Sequence, residues 1–299
     1  MNTTTRHRHV DADALERLGP WQLVRRVAEG KLCRVYQARP AEGPSDRAAA
    51  YAVKVLLEHW RDDTAAIELL RREAIVGRQV SHPCLISILA AHVGGAPYFV
   101  VMPWLAGSTL ADSLAGGRRP ALPVALWIVR QTAEALGALH SAGWMHGDFK
   151  PSNILVSPSG HATLLDLGFA RRPDETGSVV DRCVAGTFHY IAPEMVTSAL
   201  RPDIRSDLYS LGVTLYELLS GRLPFAGRSP AELAQQHRQS EPPAIRSLAP
   251  WLPLAVARLV HELLAKEPLR RPQTPAELVE RLTVLEIATF AERGCERDI

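Results

Sequence analysis

The sequence predicts an α+β protein in two parts, a β-rich first part with one helix and a mainly helical second part. Residues up to about 102 are dominated by short strand-like runs bounded by turn residues, whereas residues after 107 carry long helical periodicities. The 299 residues contain no internal repeat that would indicate another architecture. This length suits one large domain or two lobes that share a cleft.

In the first part, the stretch 21–39 predicts two strands joined by a turn at Gly30, and "AYAVKVL" predicts a third strand. Ile67, Leu70 and Ala74 recur at helical spacing. Two apolar, β-rich runs follow, "SHPCLISILAAHV" and "PYFVVMPWL". The polar lead-in 1–18 contains a short predicted helix, "DADALERL".

In the second part, a strong amphipathic helix is predicted between Pro123, which suits a first helical turn, and Gly143, which suits an exit. "NILVS" and "HATLLDL" predict a hairpin around "PSG". The stretch "SDLYSLGVTLYELLSG" is so apolar that it predicts a helix buried on all sides, begun by Ser206 or Asp207 and ended by Gly221. Three further helices are predicted, each led by a proline.

Composition excludes several classes of protein. The net charge is +2 and no basic stripe is present, so nucleic acid is not an expected partner. No signal peptide and no apolar run of membrane-spanning length is present, so we expect no membrane partner and a cytoplasmic location. The four cysteines (Cys33, Cys84, Cys183, Cys295) are far apart, which disfavours a zinc site or disulfide framework.

The stretch "GWMHGDFKPSNILV" concentrates polar groups suited to phosphoryl transfer. Asp148 is a candidate base for a hydroxyl proton, Lys150 can neutralise a transferring phosphoryl group, and Asn153 can bind a metal. Asp166 follows a predicted strand in "LLDLG" and suits a carboxylate that chelates Mg²⁺.

Two residues of the first part extend this set. Lys54 ends the strand "YAVK", where a lysine that points into a cleft can hold phosphate oxygens. Such a lysine needs a carboxylate to fix it, and Glu73 in the following helix is placed to do so. Only four of the 34 basic residues are lysines, which favours a chemical role for Lys54 and Lys150.

Taken together, these motifs resemble those of the bacterial eukaryotic-like, or Hanks-type, serine/threonine protein kinases. The resemblance covers about residues 19–285 and rests on six motifs, which are "YAVK", "HGDFKPSN", "DLG", "GTFHYIAPE", "DLYSLG" and "RRP". It implies the bilobal protein-kinase-like fold, with an N-lobe at about 19–102, a hinge at 103–107 and a C-lobe at 108–285. Residues 1–18 would be an N-terminal extension and 286–299 a C-terminal tail.

The resemblance also implies site residues. The catalytic set is Asp148, Lys150, Asn153 and Thr187, and the metal ligands are Asn153 and Asp166. The expected ATP-binding residues are Val27, Ala28, Gly30, Cys33, Val35, Ala52, Lys54, Glu73, Met102, Pro103, Leu105 and Leu155. Residues with a structural role are His146, Leu167, Glu194, Asp207 and Arg271. Candidate phosphosites in the activation segment are Thr176 and Ser178.

Several positions depart from the family pattern. Ala28 and Cys33 replace two glycines of the phosphate-binding loop, so we expect a stiffened or displaced loop with strained backbone. Gly147 replaces the arginine that receives an activation-segment phosphate, although Arg171 or Arg172 could substitute for it.

These observations predict an ATP-dependent serine/threonine protein kinase of bacterial signalling, which uses Mg²⁺ or Mn²⁺ and autophosphorylates. Its partners would be protein substrates, with a regulatory partner or self-association. One alternative is a nucleotide-binding pseudokinase or scaffold, because the phosphate loop is poor in glycine. Another is a kinase of aminoglycosides or choline, which shares "HGD" and an asparagine five residues later. Such enzymes lack the "GTFHYIAPE"-type segment and seldom have a lysine at the position of Lys150.

Overall fold

The computed structural model describes residues 17–42, 48–173, 175, 187–196 and 201–295; for 187 and 291–295 only the backbone is described. The chain divides into two compact units, one of residues 1–70 and 89–104 and the other of residues 71–88 and 105–299. The predicted limits of lobes, hinge and tail remain predictions. The predicted helix "DADALERL" lies almost wholly outside the described residues.

The first unit is built on a six-stranded antiparallel sheet in the order β1-β2-β3-β4-β6-β5. Its strands are β1 (Arg17–Leu18), β2 (Trp21–Glu29), β3 (Cys33–Pro40), β4 (Tyr51–Leu56), β5 (Ala90–His92) and β6 (Phe99–Pro103). Helix α1 (Thr64–Gln79) begins in this unit and ends in the other. The three strands predicted before α1 are confirmed.

One face of this sheet forms a small hydrophobic core. The core contains Leu23, Ala38, Val53, Phe99 and Val101, all less than a tenth exposed. Side chains alternate between the faces of a strand, so the residues between these positions lie on the opposite face.

The apolar run 81–93 is a strand only at Ala90–His92. Its earlier part is held in the helical unit by an isolated bridge between Leu85 and Leu164 and by a backbone bond from Ile88 N to Gly77 O. The run is apolar because it is buried against other elements, and not because it pairs throughout as a strand.

The helical unit contains a small antiparallel sheet and most of the helices. The sheet has the order β7 (Ser108–Thr109), β8 (Ile154–Val156) and β9 (Ala162–Leu164), which confirms the predicted hairpin. The helices are α2 (Leu110–Ala115), α3 (Leu122–Ser141), α4 (Ile204–Ser220), α5 (Pro230–Gln239), α6 (Ile245–Leu248), α7 (Leu254–Leu263) and α8 (Pro275–Cys295). In the part of the chain that the structure describes, no helix combines the length and the hydrophobicity needed to cross a membrane.

Helices α3 and α4 form the centre of the helical unit. Pro123 lies in the first turn of α3, and Gly143 follows its end with φ +79°, as the sequence predicts. Helix α4 is buried along almost its whole length, and Gly221 caps it in the left-handed conformation. The prediction that Ser206 or Asp207 begins α4 is wrong, because Asp203 accepts a hydrogen bond from Arg205 N and is the N-cap.

Candidate active site

The catalytic loop, residues 146–153, is anchored by a carboxylate from α4. Asp207 accepts hydrogen bonds from the backbone N–H groups of His146, at 2.6 Å, and Gly147, at 2.9 Å. Asp207 is almost fully buried, and this burial raises its pKa to about 6 against the opposing effect of the His146 imidazole and the two N–H donors. The first turn of α4 therefore fixes the backbone directly before Asp148.

Two hydrogen bonds to Leu165 place Asp166 beside the catalytic loop. The backbone N–H of Leu165 donates to the carbonyl oxygen of Asn153 at 2.7 Å, and the Leu165 carbonyl lies 2.9 Å from Nε2 of His146. Asp166 itself has φ +60°, and it is the one non-glycine residue with positive φ among those described. Such strained backbone tends to occur at functional sites, where the surroundings hold it in place.

The carboxylate of Asp148 has one oxygen bound and the other without a partner. Oδ2 accepts from Lys150 Nζ at 2.6 Å and from Asn153 Nδ2 at 3.2 Å, and this amide also donates to the Asp148 carbonyl at 2.8 Å. Oδ1 is buried and accepts no hydrogen bond within the described residues. Desolvation raises the pKa of Asp148 above its ordinary value, while the Lys150 ammonium opposes that rise.

Asn153 and Asp166 fit a hard divalent cation, because amide and carboxylate oxygens are ligands that Mg²⁺ accepts. Asn153 uses its Nδ2 group toward Asp148, which leaves its side-chain oxygen as the atom able to coordinate a metal. Within the described residues, no group of three or more histidine, cysteine, aspartate or glutamate side chains could hold a metal. A divalent cation commonly completes its coordination with water and with phosphate oxygens of a substrate.

Gly147 is required by the local backbone. Its φ is +77°, and a Cβ built on it would lie 2.5 Å from the carbonyl oxygen of Phe169. A side chain at this position thus meets both left-handed backbone strain and a backbone clash. Gly147 therefore stands where the family pattern has an arginine, and the backbone around it leaves no room for a side chain.

The segment after Asp166 begins in contact with the catalytic loop. Leu167 is fully buried, and Arg171 exchanges both backbone hydrogen bonds with Met145, at 2.9 and 3.0 Å. Arg171 is itself buried and donates to the carbonyl oxygen of Glu175 at 2.6 Å. Arg172 instead lies over the Trp144 ring, 4.8 Å from its centre.

Three predicted residues of this segment fall where nothing can be said of the side chain. Thr176 and Ser178 lie outside the described residues, and of Thr187 only the backbone, in a 3₁₀ turn, is described. Their predicted roles remain predictions.

The predicted pair of Glu194 and Arg271 is a buried ion pair. The guanidinium makes two hydrogen bonds to the two carboxylate oxygens, at 2.7 and 2.9 Å. Both side chains are almost fully buried, and Ser206 donates a further hydrogen bond to Glu194 at 2.7 Å. Two-point pairing with a third donor satisfies most of the buried polar groups, which is what a stable buried pair requires. The hydrogen bond from Ser206 to Glu194 was not predicted from the sequence.

In the first unit, five predicted ATP-binding residues lie on one face of the sheet. Lys54 is directly opposite Val35, and Ala52 is directly opposite Met102. Ala28 is opposite Val35, and opposite residues of antiparallel strands share a face. This face is the one that the small hydrophobic core does not occupy.

The strain expected at Ala28 and Cys33 is absent, so that prediction is wrong. Both residues lie within strands, and neither they nor Gly30 has positive φ. The physical reason is that Ala28 pairs with Val35 and Cys33 pairs with Leu56 in the sheet, although two register shifts interrupt the β2–β3 ladder. The loop between β2 and β3 spans only residues 30–32.

This short loop is tied to the turn that follows β4. Trp60 Nε1 donates to the carbonyl oxygen of Lys31 at 2.8 Å, and Leu57 N donates to that of Leu32 at 2.8 Å. An ion pair between Glu29 and Arg34, at 2.9 Å, joins the two strands next to the loop. No motif around Trp60 indicates this contact, so sequence analysis could not find it.

The remaining predicted ATP-binding residues are distributed over both units. Val27 lies on β2 and is exposed, and Pro103 ends β6. In the helical unit, Glu73 is a buried residue of α1, Leu155 is the central residue of β8, and Leu105 follows β6. Contact of these residues with a nucleotide remains a prediction.

Comparisons with known proteins agree with this geometry. The family model described as "Protein kinase domain" matches residues 21–282. A probable serine/threonine-protein kinase PknB of Lactococcus lactis is 30% identical over 93% of this chain and 43% of its own length. PrkC of Bacillus subtilis, a serine/threonine-protein kinase, is 31% identical over 87% of this chain and 39% of its own. PknA of Mycobacterium tuberculosis, another such kinase, is 35% identical over 85% of this chain and 58% of its own.

This chain therefore spans only about two-fifths to three-fifths of the length of these curated relatives. The match to the family model, in contrast, covers most of the chain. Its two units, a β-sheet unit and a helical unit, are those of the protein kinase fold, and ATP and divalent metal use are general in that family. On this match, the chain belongs to the protein kinase family.

Proposed function

We propose that this chain transfers the γ-phosphoryl group of ATP to serine and threonine hydroxyls of proteins, its own included. The arrangement of Asp148, Lys150 and Asn153 is the observation that carries the proposal. It leaves one buried carboxylate oxygen, Oδ1 of Asp148, as an acceptor for a substrate hydroxyl. The names of the relatives, all serine/threonine-protein kinases, support the same function.

Asp148 accepts the proton of the attacking hydroxyl. As the new O–P bond forms, the bond between the γ-phosphorus and the bridging oxygen breaks, and ADP leaves with that electron pair. The raised pKa of Asp148 brings its basicity closer to what a general base needs near neutral pH. Lys150, bound to the other carboxylate oxygen, orients Asp148 and offers positive charge to the transferring group.

Phosphoryl transfer needs positioning and charge stabilisation more than covalent chemistry. Asn153 and Asp166 would hold the metal, Mg²⁺ or Mn²⁺, and a bound metal neutralises charge on the phosphate oxygens. Lys54 and Glu73 would fix the α- and β-phosphates. Val35, Ala52 and Leu155 would enclose the adenine ring, with the Pro103 carbonyl and the Leu105 N–H as its hydrogen-bond partners.

A transfer assay with labelled ATP tests the proposal. The chain is incubated with Mg²⁺ or Mn²⁺ and a generic basic protein, with kanamycin and choline as rival acceptors, and the modified amino acids are identified. We expect phosphoserine and phosphothreonine on both proteins, and none with Asp148→Asn. Phosphorylated kanamycin or choline would favour the small-molecule kinases. Nucleotide binding without transfer to any acceptor would favour a pseudokinase.

We also propose a cytoplasmic location and a role in bacterial signalling. The proposed donor, ATP, is a cytoplasmic metabolite, and protein phosphorylation is a common form of signalling. Fractionation of cells that express the chain tests the location. We expect its partners to be protein substrates, together with a regulatory partner or a second copy of the chain.

A further inference from the structure

Arg72 lies in α1 directly before Glu73, and its guanidinium binds one segment at two points. Its Nη1 donates to the carbonyl oxygen of Ala170 at 2.9 Å and forms an ion pair with the carboxylate of Glu175. The two side chains of the pair are only 16% and 29% exposed. An ion pair shielded from water in this way is screened less by salt than a surface pair.

The backbone of Glu175 is held as well. Arg171 donates from Nη2 to the Glu175 carbonyl oxygen at 2.6 Å, and the backbone of Arg171 is bonded in both directions to Met145. Met145 directly precedes His146 of the catalytic loop. Arg72, Glu175, Arg171 and Met145 thus form a continuous chain of contacts from α1 to the catalytic loop, which we call the Glu175 clasp.

The Glu175 clasp contains the same kinds of groups that let a phosphate order a loop, namely negatively charged acceptor oxygens and arginines. A phosphate adds negative charge and hydrogen-bond acceptors that pair with arginines. Glu175 supplies a carboxylate without any modification, and its carboxylate and carbonyl oxygen are bound by two different arginines. Gly147, in contrast, offers no side chain to receive a phosphate, and its backbone has no room for one.

We infer that Glu175 is a positioning residue that substitutes for an activating phosphate. Through Arg72 it fixes the turn of α1 that carries Glu73, and through Arg171 it fixes the segment 167–173. Both groups are thereby held for phosphoryl transfer without any modification. This inference rests on the proposed kinase function.

The test compares Glu175→Gln, Arg72→Glu, Glu175→Arg and the double variant Arg72→Glu/Glu175→Arg. Glutamine keeps the size of glutamate and removes its charge, so we expect Glu175→Gln to lower kcat at least tenfold. The charge-reversed double variant should regain part of the activity that each reversed single variant loses. Recovery will be partial, because a glutamate at position 72 cannot donate to the Ala170 carbonyl.

Hydrogen–deuterium exchange of the peptide 167–175 gives a readout that does not depend on activity. Exchange should be faster in Glu175→Gln than in the wild type and slower in the double variant than in either reversed single variant. Arg78→Ala and Glu68→Gln are matched controls, because both residues are exposed on the same helix α1. Phosphatase treatment of the wild type should leave kcat unchanged.

The outcomes separate the two proposals. A wild type that transfers no phosphoryl group contradicts the proposed function, while the exchange experiment still tests the clasp. If the wild type is active and Glu175→Gln matches the controls in kcat, the inference is overturned, whether or not exchange changes. Loss of wild-type activity on phosphatase treatment would overturn it as well.

Discussion

Replacing Gly147 with alanine is expected to destabilise the helical unit through both its backbone conformation and a backbone clash. The left-handed φ of +77° costs a non-glycine residue about 1–2 kcal/mol. The new Cβ would also lie 2.5 Å from the Phe169 carbonyl oxygen, so the backbone must move. Core overpacking that forces backbone shifts typically costs about 1–3 kcal/mol, which brings the sum to about 2–5 kcal/mol.

The structure offers little room for that movement. Gly147 N is bound to Asp207 on one side, and the segment of Phe169 is held by the pairing of Arg171 with Met145 on the other. Any shift of Gly147 also displaces Asp148, so kcat should fall together with stability. Arginine at this position meets the same obstacle, so Gly147→Arg should not create a phosphate receptor.

Gly160→Ala is the matched control. Gly160 has φ +83°, and a Cβ on it would meet nothing within 4 Å, so this variant carries the left-handed cost alone. Both changes reduce the entropy of the unfolded chain equally, and this contribution of about 0.4–1 kcal/mol cancels in the comparison.

Thermal unfolding of the two variants and the wild type measures the difference. One kcal/mol shifts the Tm of a domain of this size by about 2–4 °C. We expect Gly147→Ala to unfold at least about 2 °C below Gly160→Ala. Equal Tm values for the two variants would refute the reasoning, because they would mean that the Phe169 contact is relieved at no cost.

Four further predictions follow from the site. Asp148→Asn should lower kcat about 10²–10⁴-fold with nucleotide affinity nearly unchanged, and residual activity above a tenth of the wild type would exclude Asp148 as the base. Because burial raises the Asp148 pKa, the wild-type pH–rate profile should lose activity on the acid side at a pH above the ordinary aspartate pKa. Trp60→Phe keeps an aromatic side chain but loses the indole N–H that donates to the phosphate loop, so the KM for ATP should rise several-fold with kcat little changed. An unchanged KM would show that this hydrogen bond is dispensable. Glu194→Gln breaks a buried ion pair and should cost about 3–5 kcal/mol in denaturant unfolding; a loss below 1 kcal/mol would contradict this estimate. Thr176→Ala/Ser178→Ala should keep kcat within about threefold, below the 1.4 kcal/mol that corresponds to tenfold, and an inactive double variant rescued by Asp or Glu would point to Arg172 as the partner of a phosphate.

Much of the fold could be predicted from local patterns. The alternation around Gly30, the proline and glycine that flank α3, and the apolar stretch that became α4 each depend on residues close together in the sequence. Such signals are physical properties of a strand, a helix end or a buried helix, and they do not need a partner. The start of α4 was missed because Asp203 and Ser206 both suit a cap, and only the structure shows which side chain accepts the backbone hydrogen bond.

The sequence by itself determined which chemical groups are present and in which order. It placed Asp148, Lys150 and Asn153 in one loop and Asp166 after the next hairpin, because their spacing is local. What only the tertiary structure decided is how distant residues act on that loop. Hydrogen bonds between residues far apart in the chain leave no spacing to recognise, as in Asp207 with His146 or Arg72 with Glu175.

The conformation of single residues was also decided by the fold. Ala28 and Cys33 suggest strain only if the phosphate loop keeps a glycine-rich path, and the hairpin avoids that path by pairing both residues within strands. Gly147, which the sequence presents as a lost arginine, is instead held at positive φ against the Phe169 carbonyl. Backbone dihedral angles depend on what packs around a residue, and the identity of that residue sets only which angles it can adopt without strain.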